Sequence, residues 1–491
     1  MESAALSRSR SRPGLLARLR GLDVDFLARV LFVLLCVVIA VGFLAYPTYP
    51  NYDSYYSLLW GRELLDGRAP VFEGFRVPTE HPLAIVAGAL LSLLGDAGDR
   101  VWIAMIFASF LWLVWAVYAL ARDSFTPLVG VVAAALLATR FDFGFLAARG
   151  YIDIPYMAMI VWAAVLEGRR PHRGVSVFAL LAAAGLLRPE GWLLAGLYFL
   201  WMAHRASWRQ RVLYAALTAI GPLGWAAVDF VVTGDPLFSL HYTSGSAEDL
   251  GRQRTLSELP LAMPYFFANI IKLPVLVAAA AGLVIALVVT PRRSVMPFVL
   301  FATGLGTFVA IGIAGLSVIE RYLTVAALAL LIFAAVAICG WTMLAPSRLR
   351  SAWMVGAALL VLAGTVYTAA RVNLGRLESE LQFRGEAHDD LEKVLRNPEV
   401  AAGLRCGPLT TPNHKLVPDA RWILDLPYEK VRARPEQGVS AERGVSLYAT
   451  SRAALTRHAL SNPEDPVELQ VPPPGARRVA TSEHYAAYVA C

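Results

Sequence analysis

The sequence predicts an all-α polytopic membrane protein with a small α/β domain at its C-terminal end, and three observations indicate this. Of the 491 residues, 57% are hydrophobic and only 16% are charged, and the mean hydropathy is +0.54. Long apolar segments recur through residues 26–371, whereas residues 372–491 are polar and contain short strand-like segments between proline-rich turns. This composition is typical of an integral membrane protein and excludes a soluble globular domain.

The net charge of +7 does not indicate a nucleic-acid-binding protein. The basic residues cluster in short loops between apolar segments, as they do in the cytoplasmic loops of membrane proteins. The basic N-terminus, residues 1–25, precedes a long apolar segment without a small-residue cleavage site. We therefore expect a cytoplasmic flank rather than a signal peptide, and membrane lipids rather than nucleic acid as surroundings.

A helix that spans a membrane requires about 20 apolar residues. The first predicted span covers residues 26–46, and a long first outer loop, 47–100, follows it. The apolar segment 82–95 is placed in this loop because about 14 residues is the length of an interfacial or re-entrant segment. The remaining spans are predicted at about 101–121, 127–147, 152–167, 174–188, 191–204, 212–232, 265–290, 295–315, 322–344 and 351–370.

A count of about eleven transmembrane helices agrees with the placement of charge. It puts the arginine-rich loops 168–173, 204–211 and 291–294 on the cytoplasmic side, whereas a span at 82–95 would move them outside. The odd count leaves the N-terminus cytoplasmic and the C-terminal end outside. We predict a multi-pass cell-membrane protein with a cytoplasmic flank (1–25), a transmembrane domain (26–371) and an extracytoplasmic α/β domain (372–491).

The predicted extracytoplasmic domain has about 120 residues, which is enough for a core of its own. Residues 378–397 predict a surface helix with an apolar stripe, and the segments 420–426, 444–450 and 484–490 predict strands. Cys406 and Cys491 both lie in this domain. An oxidising environment outside the membrane favours a disulfide between them.

Two carboxylates stand out at the ends of apolar segments. Asp53 begins a helical pattern that ends at Gly67, a position that suits a helix N-cap and also a general base. Asp153 lies at the outer entrance of an apolar span, where a cap or an interfacial charge is the alternative to a functional carboxylate.

The predicted topology brings further polar residues to the same outer side. They are Tyr52 beside Asp53, and Glu80, His81, Arg149, Arg188, Glu190 and Arg321. Each of them singly suits a structural role, as a loop end, an ion pair or an interfacial anchor. Together they could bind a lipid phosphate through guanidinium groups and deprotonate an acceptor hydroxyl with a carboxylate.

At these residues the chain resembles the GT-C superfamily of membrane glycosyltransferases, in particular the branch of protein O-mannosyltransferase and lipid A aminoarabinose transferase. The matching motifs are Asp53 in the first outer loop, His81-Pro82-Leu83, the segment from Arg149 to Asp153, and Arg321-Tyr322-Leu323. The resemblance covers about residues 26–345. It departs at Ser54, where relatives often have Glu.

The resemblance implies an inverting glycosyltransferase that moves a monosaccharide from a polyprenyl-phosphate donor to a cell-envelope acceptor, which is a glycan, a lipid or a protein. Asp53 is then the expected base and Asp153 a second carboxylate. The residues expected to bind substrate are Tyr52, Glu80, His81, Arg149, Arg188, Glu190 and Arg321. No cofactor is implied, and the departure at Ser54 leaves a divalent metal open.

Two other classes of protein are alternatives to this interpretation. A transporter or flippase of envelope lipids or glycans would be indicated by inverted repeats and by charged or broken helices at the midplane. The sequence shows no internal repeat, and its charges lie at the outer ends of spans. An envelope scaffold would need far fewer spans than these to anchor an outer domain.

Overall fold

The computed structural model describes residues 23–249, 258–316, 318–371, 374–460 and 467–491. The predicted flank 1–25 therefore lies almost wholly outside the described residues. The first helix, α1 (Val24–Ala45), begins at Asp23, whose carboxylate accepts a hydrogen bond from the Asp25 amide. It corresponds to the predicted span 26–46.

The described residues between α1 and the C-terminal domain are mostly helical. In chain order they are α2 (Tyr52–Leu65), α3 (Pro82–Ser92), α4 (Gly98–Ser124), α5 (Pro127–Ala138), α6 (Phe141–Ala148), α7 (Asp153–Arg169), α8 (Val175–Leu187), α9 (Glu190–Ala203), α10 (Trp208–Thr233), α11 (Phe238–Asp249), α12 (Leu259–Ile271), α13 (Leu273–Val289), α14 (Val295–Ile313), α15 (Thr324–Cys339) and α16 (Arg348–Arg371). The buried helix α15 packs against α13, α14 and α5 at the centre of the bundle.

The described residues contain fewer helices long enough to cross a membrane than the predicted eleven crossings. Within the described residues, six helices are long and apolar enough to cross a membrane, or up to eight crossings if each of two bent pairs is one span. The predicted spans 174–188 and 191–204 form helices of only 13 and 14 residues. A helix needs about 20 residues to cross a bilayer, and these two are shorter. The count of eleven is therefore not confirmed. The protein is a multi-pass membrane protein.

Two spans predicted as straight helices are bent in the structure. The helices α5 and α6 meet at 60°, and α12 and α13 meet at 111° around Lys272, whose φ is +67°. The two bends contact each other. Arg140 Nη1 donates a hydrogen bond to the Ile271 carbonyl at 3.2 Å, and Lys272 Nζ lies 3.3 Å from Asp142 Oδ2. The polar groups that one bend leaves without a partner in its own helices are thus paired with groups of the other bend.

In the C-terminal domain the helices α17 (Leu374–Leu395), α18 (Pro398–Gly403) and α19 (Val417–Leu424) flank a mixed sheet. The strands are β1 (Leu409–Thr411), β2 (Val431–Ala433), β3 (Gly444–Ala449), β4 (Arg477–Thr481) and β5 (Tyr485–Ala490). Their order in the sheet is β2-β1-β3-β5-β4, with β2, β1 and β3 parallel and β5 antiparallel to both β3 and β4.

The predictions for this domain are right for two strands and wrong for the third. The predicted strands 444–450 and 484–490 correspond to β3 and β5, and the predicted helix 378–397 to α17. The segment 420–426 is not a strand, because most of it forms α19. Pro418 occupies the first turn of that helix, and Asp425 ends it in a left-handed conformation with φ +52°. Pro in the first turn is a start signal for a helix.

The C-terminal domain shares its core with the first loop, the segment between α1 and α4. Tyr56, Trp60 and Phe72 of the first loop are buried against Leu409 and Val431 of the sheet. Three ion pairs join the domain to the first loop, between Arg421 and Glu63, between Arg62 and Asp425 at 3.2 Å, and between Arg396 and Asp96 at 2.9 Å. Cys406 and Cys491 are joined by a disulfide, with their Cα atoms 5.5 Å apart.

Candidate functional site

The start of α2 is fixed by Asn51. Its side-chain carbonyl accepts hydrogen bonds from the amides of Asp53, at 2.8 Å, and Ser54, at 3.3 Å. Its side-chain amide donates to the Arg149 carbonyl at 2.9 Å, and Ser54 Oγ donates to the Gly150 carbonyl at 2.7 Å. Asn51 is therefore the N-cap, and the alternative interpretation of Asp53 as the cap is wrong. The Asp53 carboxylate lies in the first turn of α2 and does not cap the helix.

A buried ion-pair cluster lies beside Asp53. Arg188, in the turn between α8 and α9, donates hydrogen bonds to Asp153 and to Glu190, the latter at 2.7 Å. The side chains of these three residues are only 3–7% exposed. Arg188 is further held over the Tyr322 ring at 4.9 Å. Because the guanidinium group of Arg188 donates hydrogen bonds to both carboxylates, it fixes the positions of Asp153 and Glu190.

Arg321 joins this cluster to Asp53 much more loosely. Its Nη1 lies 3.8 Å from Asp53 Oδ2, and its Nε lies 3.6 Å from Asp153 Oδ1. Both distances exceed those of hydrogen bonds. The buried Nε has no hydrogen-bond partner among the described residues. A planar guanidinium in this position can donate two parallel hydrogen bonds to an incoming anion.

The surroundings shift the protonation of Asp53 and His81. Burial raises the pKa of Asp53 above its usual value, and the Arg321 guanidinium opposes that shift. Burial, with Arg188 and Arg321 nearby, lowers the pKa of His81 to about 3. The imidazole of His81 is therefore neutral, and its ring lies edge-on to Trp225 at 5.5 Å. A carboxylate whose pKa lies above the ordinary range is better matched to accept a proton near neutral pH.

Most of these groups border one cavity of about 1170 Å³. Asp53, His81, Arg188 and Arg321 form a polar part of its wall, and an apolar part is lined by Phe141, Phe145, Phe266, Ile270 and Ile311. Tyr52 and Glu190 also line it. The volume exceeds the 300–1,000 Å³ common for small-molecule sites, so the cavity has room for a lipid chain and a second substrate.

Two of the residues predicted to bind substrate lie away from this wall. Arg149 packs its guanidinium over the Phe145 ring at 4.9 Å, and its carbonyl holds Asn51. Glu80 is 1% exposed and lies against Ser239 and Asp229. Asp229 was not singled out in the sequence. The signal that could have found it is an ionisable residue near the end of an apolar span.

Glu80 and Asp229 both contact the hydroxyl of Ser239. The Ser239 Oγ lies 2.7 and 2.8 Å from the two carboxylate oxygens of Asp229 and also contacts Glu80. One hydroxyl proton cannot satisfy both carboxylates, so this arrangement requires a second proton, on Glu80. Burial and the neighbouring Asp229 carboxylate raise the pKa of Glu80 to about 8.

The Glu80 pair should make stability dependent on pH. The folded pKa of about 8 lies above the unfolded value of 4.5, so the native state holds a proton that the unfolded chain has lost. The resulting stability is complete below pH 4.5 and is lost as pH rises through 8. We expect the melting temperature to fall by a few degrees between pH 5 and pH 8. The variant Glu80→Gln keeps the hydrogen-bond donor and should lose this part of the pH dependence. Identical pH dependence in both proteins would contradict a proton held by Glu80 in the native state.

The described residues contain no group of three or more His, Cys, Asp or Glu side chains that could hold a metal ion. The carboxylates of the site are paired instead with the guanidinium groups of Arg188 and Arg321. These side chains offer proton transfer at Asp53 and charge stabilisation by arginine.

The fold is similar to that of ArnT from Cupriavidus metallidurans. One ArnT structure, bound to undecaprenyl phosphate, gives a TM-score of 0.55 at 15% identity over 94% of this chain and 97% of ArnT. The apo structure gives 0.55 at 14% identity over 95% and 98%. An apo oligosaccharyltransferase from Archaeoglobus fulgidus gives 0.48 at 14% identity over 84% of this chain and 65% of that chain. No protein-family model and no curated protein sequence matches the chain. The fold that the sequence resemblance implies is thus confirmed.

Proposed function

We propose that this protein is a GT-C-type glycosyltransferase that takes a sugar from a polyprenyl-phosphate donor and transfers it, with inversion, to a hydroxyl of a cell-envelope acceptor on the non-cytoplasmic face of the membrane. The observation that carries the proposal is the pairing of Asp53 with Arg321 on the wall of one cavity that is polar on one side and apolar on another. The fold shared with ArnT, which was crystallised with undecaprenyl phosphate, supports the choice of donor.

In the proposed reaction, Asp53 accepts the proton of the acceptor hydroxyl. The hydroxyl oxygen forms a bond to the anomeric carbon as the bond from that carbon to the phosphate oxygen breaks. The electron pair of the broken bond leaves with the phosphate, and Arg321 stabilises the charge that develops there. Attack on the face opposite the leaving group inverts the configuration. A donor group placed in this way contributes about 2.7–4 kcal/mol in comparable sites.

The other groups of the site orient these two residues. Arg188 was a candidate phosphate ligand by sequence, but its guanidinium is already engaged by Asp153 and Glu190. We assign it to holding Asp153 beside Arg321. The apolar side of the cavity, with Phe141 and Phe266, suits the polyprenyl chain, because burying each methylene group contributes about 0.8 kcal/mol.

Undecaprenyl phosphate should raise the melting temperature of the purified protein, since a ligand that binds only the folded state stabilises it. Arg321→Lys keeps the charge but removes the planar pair of donors, so it should reduce this stabilisation. Arg122→Lys is the matched control, because Arg122 lies outside the cavity wall and is paired with Asp25 at 2.6 Å. It should leave the effect of the lipid unchanged.

The donor assignment would be wrong if undecaprenyl phosphate failed to stabilise the wild type. Equal stabilisation of wild type and Arg321→Lys would instead remove Arg321 from phosphate binding. Sugar transfer from a panel of polyprenyl-phosphate sugars to membrane fractions then tests the activity itself.

A further inference from the structure

A second and much smaller cavity lies beside the first, and the proposed transfer step does not use it. Its volume of about 10 Å³ is the space that a single buried water molecule requires. Asp53, His81 and Arg321 line both cavities, so the second one lies directly next to the proposed base. Asp153 and Arg188 also line it. We refer to it as the small cavity.

Two residues of the small cavity carry a buried polar atom without a hydrogen-bond partner in the part of the chain that the structure describes. They are His81, at Nδ1, and Arg321, at Nε. Polar atoms buried in folded proteins are nearly always hydrogen-bonded, and an ordered water often serves as the partner. Two unpaired atoms beside a space of this size therefore indicate a water molecule that binds both.

The protonation of these two atoms fixes which hydrogen bonds the water makes. The imidazole of His81 is neutral, because burial lowers its pKa to about 3, and a hydrogen bond to the Leu187 backbone holds its proton on the nitrogen that faces Leu187. Since Nδ1 has no such partner, the protonated nitrogen is Nε2, and Nδ1 can only accept. The Arg321 Nε carries a hydrogen and can only donate. A water molecule, which both donates and accepts, satisfies the two atoms at once.

The charges around the small cavity favour a neutral occupant. Its described lining has two carboxylates, Asp53 and Asp153, and two guanidinium groups, Arg188 and Arg321, whose charges sum to zero. Asp153 already accepts a hydrogen bond from Arg188. Asp53 Oδ2 lies 3.8 Å from Arg321 Nη1, which is too far for a hydrogen bond. The second proton of the water therefore suits Asp53.

We propose that the small cavity holds one structural water molecule, which accepts a hydrogen bond from Arg321 Nε and donates one to His81 Nδ1 and one to the Asp53 carboxylate. His81 is then a positioning residue, because it orients the base through the water. This inference rests on the proposed function, in which Asp53 takes the proton of the acceptor hydroxyl. The two Nη atoms of Arg321 remain for the phosphate of the donor.

A crystal structure of the full-length wild type that resolves ordered water tests the site directly. One peak of density should lie about 2.7–3.2 Å from both His81 Nδ1 and Arg321 Nε. The peak should be lost in His81→Leu, which removes the acceptor. An empty small cavity in the wild type would overturn the proposal. So would a peak at about 2.0–2.2 Å from the side-chain atoms, which is the distance of a metal ion.

The matched pair His81→Asn and His81→Leu separates the hydrogen bond from packing. The two new side chains have nearly the same shape, but only that of Asn can accept a hydrogen bond from the water. Transfer by His81→Asn should exceed transfer by His81→Leu about 10- to 100-fold, because the loss of the water removes a hydrogen bond to the charged carboxylate of Asp53. Both variants should keep the stabilisation by undecaprenyl phosphate, which shows that they fold.

The dependence of transfer on pH gives a readout that a merely structural role of His81 would not change. A hydrogen bond from the water favours the ionised form of Asp53, so its loss raises the pKa of that carboxyl. The rise of transfer with pH should therefore move to higher pH in His81→Leu and stay close to the wild-type position in His81→Asn.

The outcomes separate this inference from the proposed function. Equal transfer by the two variants, with the same dependence on pH, would overturn the role of His81. If the wild type transfers sugar but its small cavity holds no water, the proposed function stands and this inference falls. If the water is present but no polyprenyl-phosphate sugar is used, the water site stands and the proposed function falls. The density of the wild type decides the site even where a variant fails to fold.

Discussion

Replacing Asp53 by Asn should lower the rate of sugar transfer by about 10²- to 10⁴-fold, because Asn cannot accept the proton of the acceptor hydroxyl. The fold should survive, since Asn51 and not Asp53 caps α2. Stabilisation by undecaprenyl phosphate should also survive, since that contact is assigned to Arg321. In the wild type, transfer should rise with pH as Asp53 loses its proton, above the ordinary carboxyl value of 3.8 because burial raises the pKa of Asp53.

Asp142→Asn is the matched control for this substitution. Asp142 also lines the cavity, but it is paired with Lys272 at the bend between α12 and α13. Its replacement should change transfer far less than that of Asp53. Transfer by Asp53→Asn within a few-fold of wild type, in matched membranes, would remove Asp53 from the mechanism.

Replacing Arg188 by Met should destabilise the protein by about 3–5 kcal/mol, because it leaves the buried carboxylates of Asp153 and Glu190 without their counter-ion. The exposed pair of Arg396 and Asp96, at 2.9 Å, provides the control. Arg396→Met should cost no more than about 1 kcal/mol, as is usual for a pair on the surface. The measurement is the free energy of unfolding in detergent.

A companion variant separates the ion pair from packing. In Arg188→Met with Asp153→Asn and Glu190→Gln, no buried charge is left alone, and most of the stability should return. Equal losses in the single and the triple variant would show that the role of Arg188 is one of packing. Transfer should be lost in both, since Asp153 no longer holds its place beside Arg321.

The long apolar helices could be predicted from the sequence because hydropathy over about 20 residues depends on composition alone. The bends could not. The break occurs at a single residue, Lys272. The Ile271 carbonyl beside it accepts a hydrogen bond from Arg140, which lies 131 residues earlier in the chain than Ile271. Contacts of this kind exist only after the helices have packed. The segment 420–426 was misassigned because a short apolar run suits a buried helix as well as a strand.

The candidate site was predictable in part for a related reason. Asp53, Asp153, Arg188 and Arg321 all lie at the ends of apolar segments, where a charged residue is conspicuous. The structure brings these four together, and Asp53, Arg188 and Arg321 line one cavity. The role of Asn51 as the cap depends on the Arg149 carbonyl, 98 residues away.

The shared core of the first loop and the C-terminal domain has a consequence for how the protein is made. Glu63 is synthesised 358 residues before its partner Arg421. At a translation rate of about 5–20 residues per second, the surface on which the helix of Asp53 packs is synthesised roughly 20–70 s after that helix. During that interval Tyr56, Trp60 and Phe72 have no sheet to cover them. We therefore expect the candidate site to be completed only late in translation, and the first loop to be most exposed to aggregation and proteolysis before then.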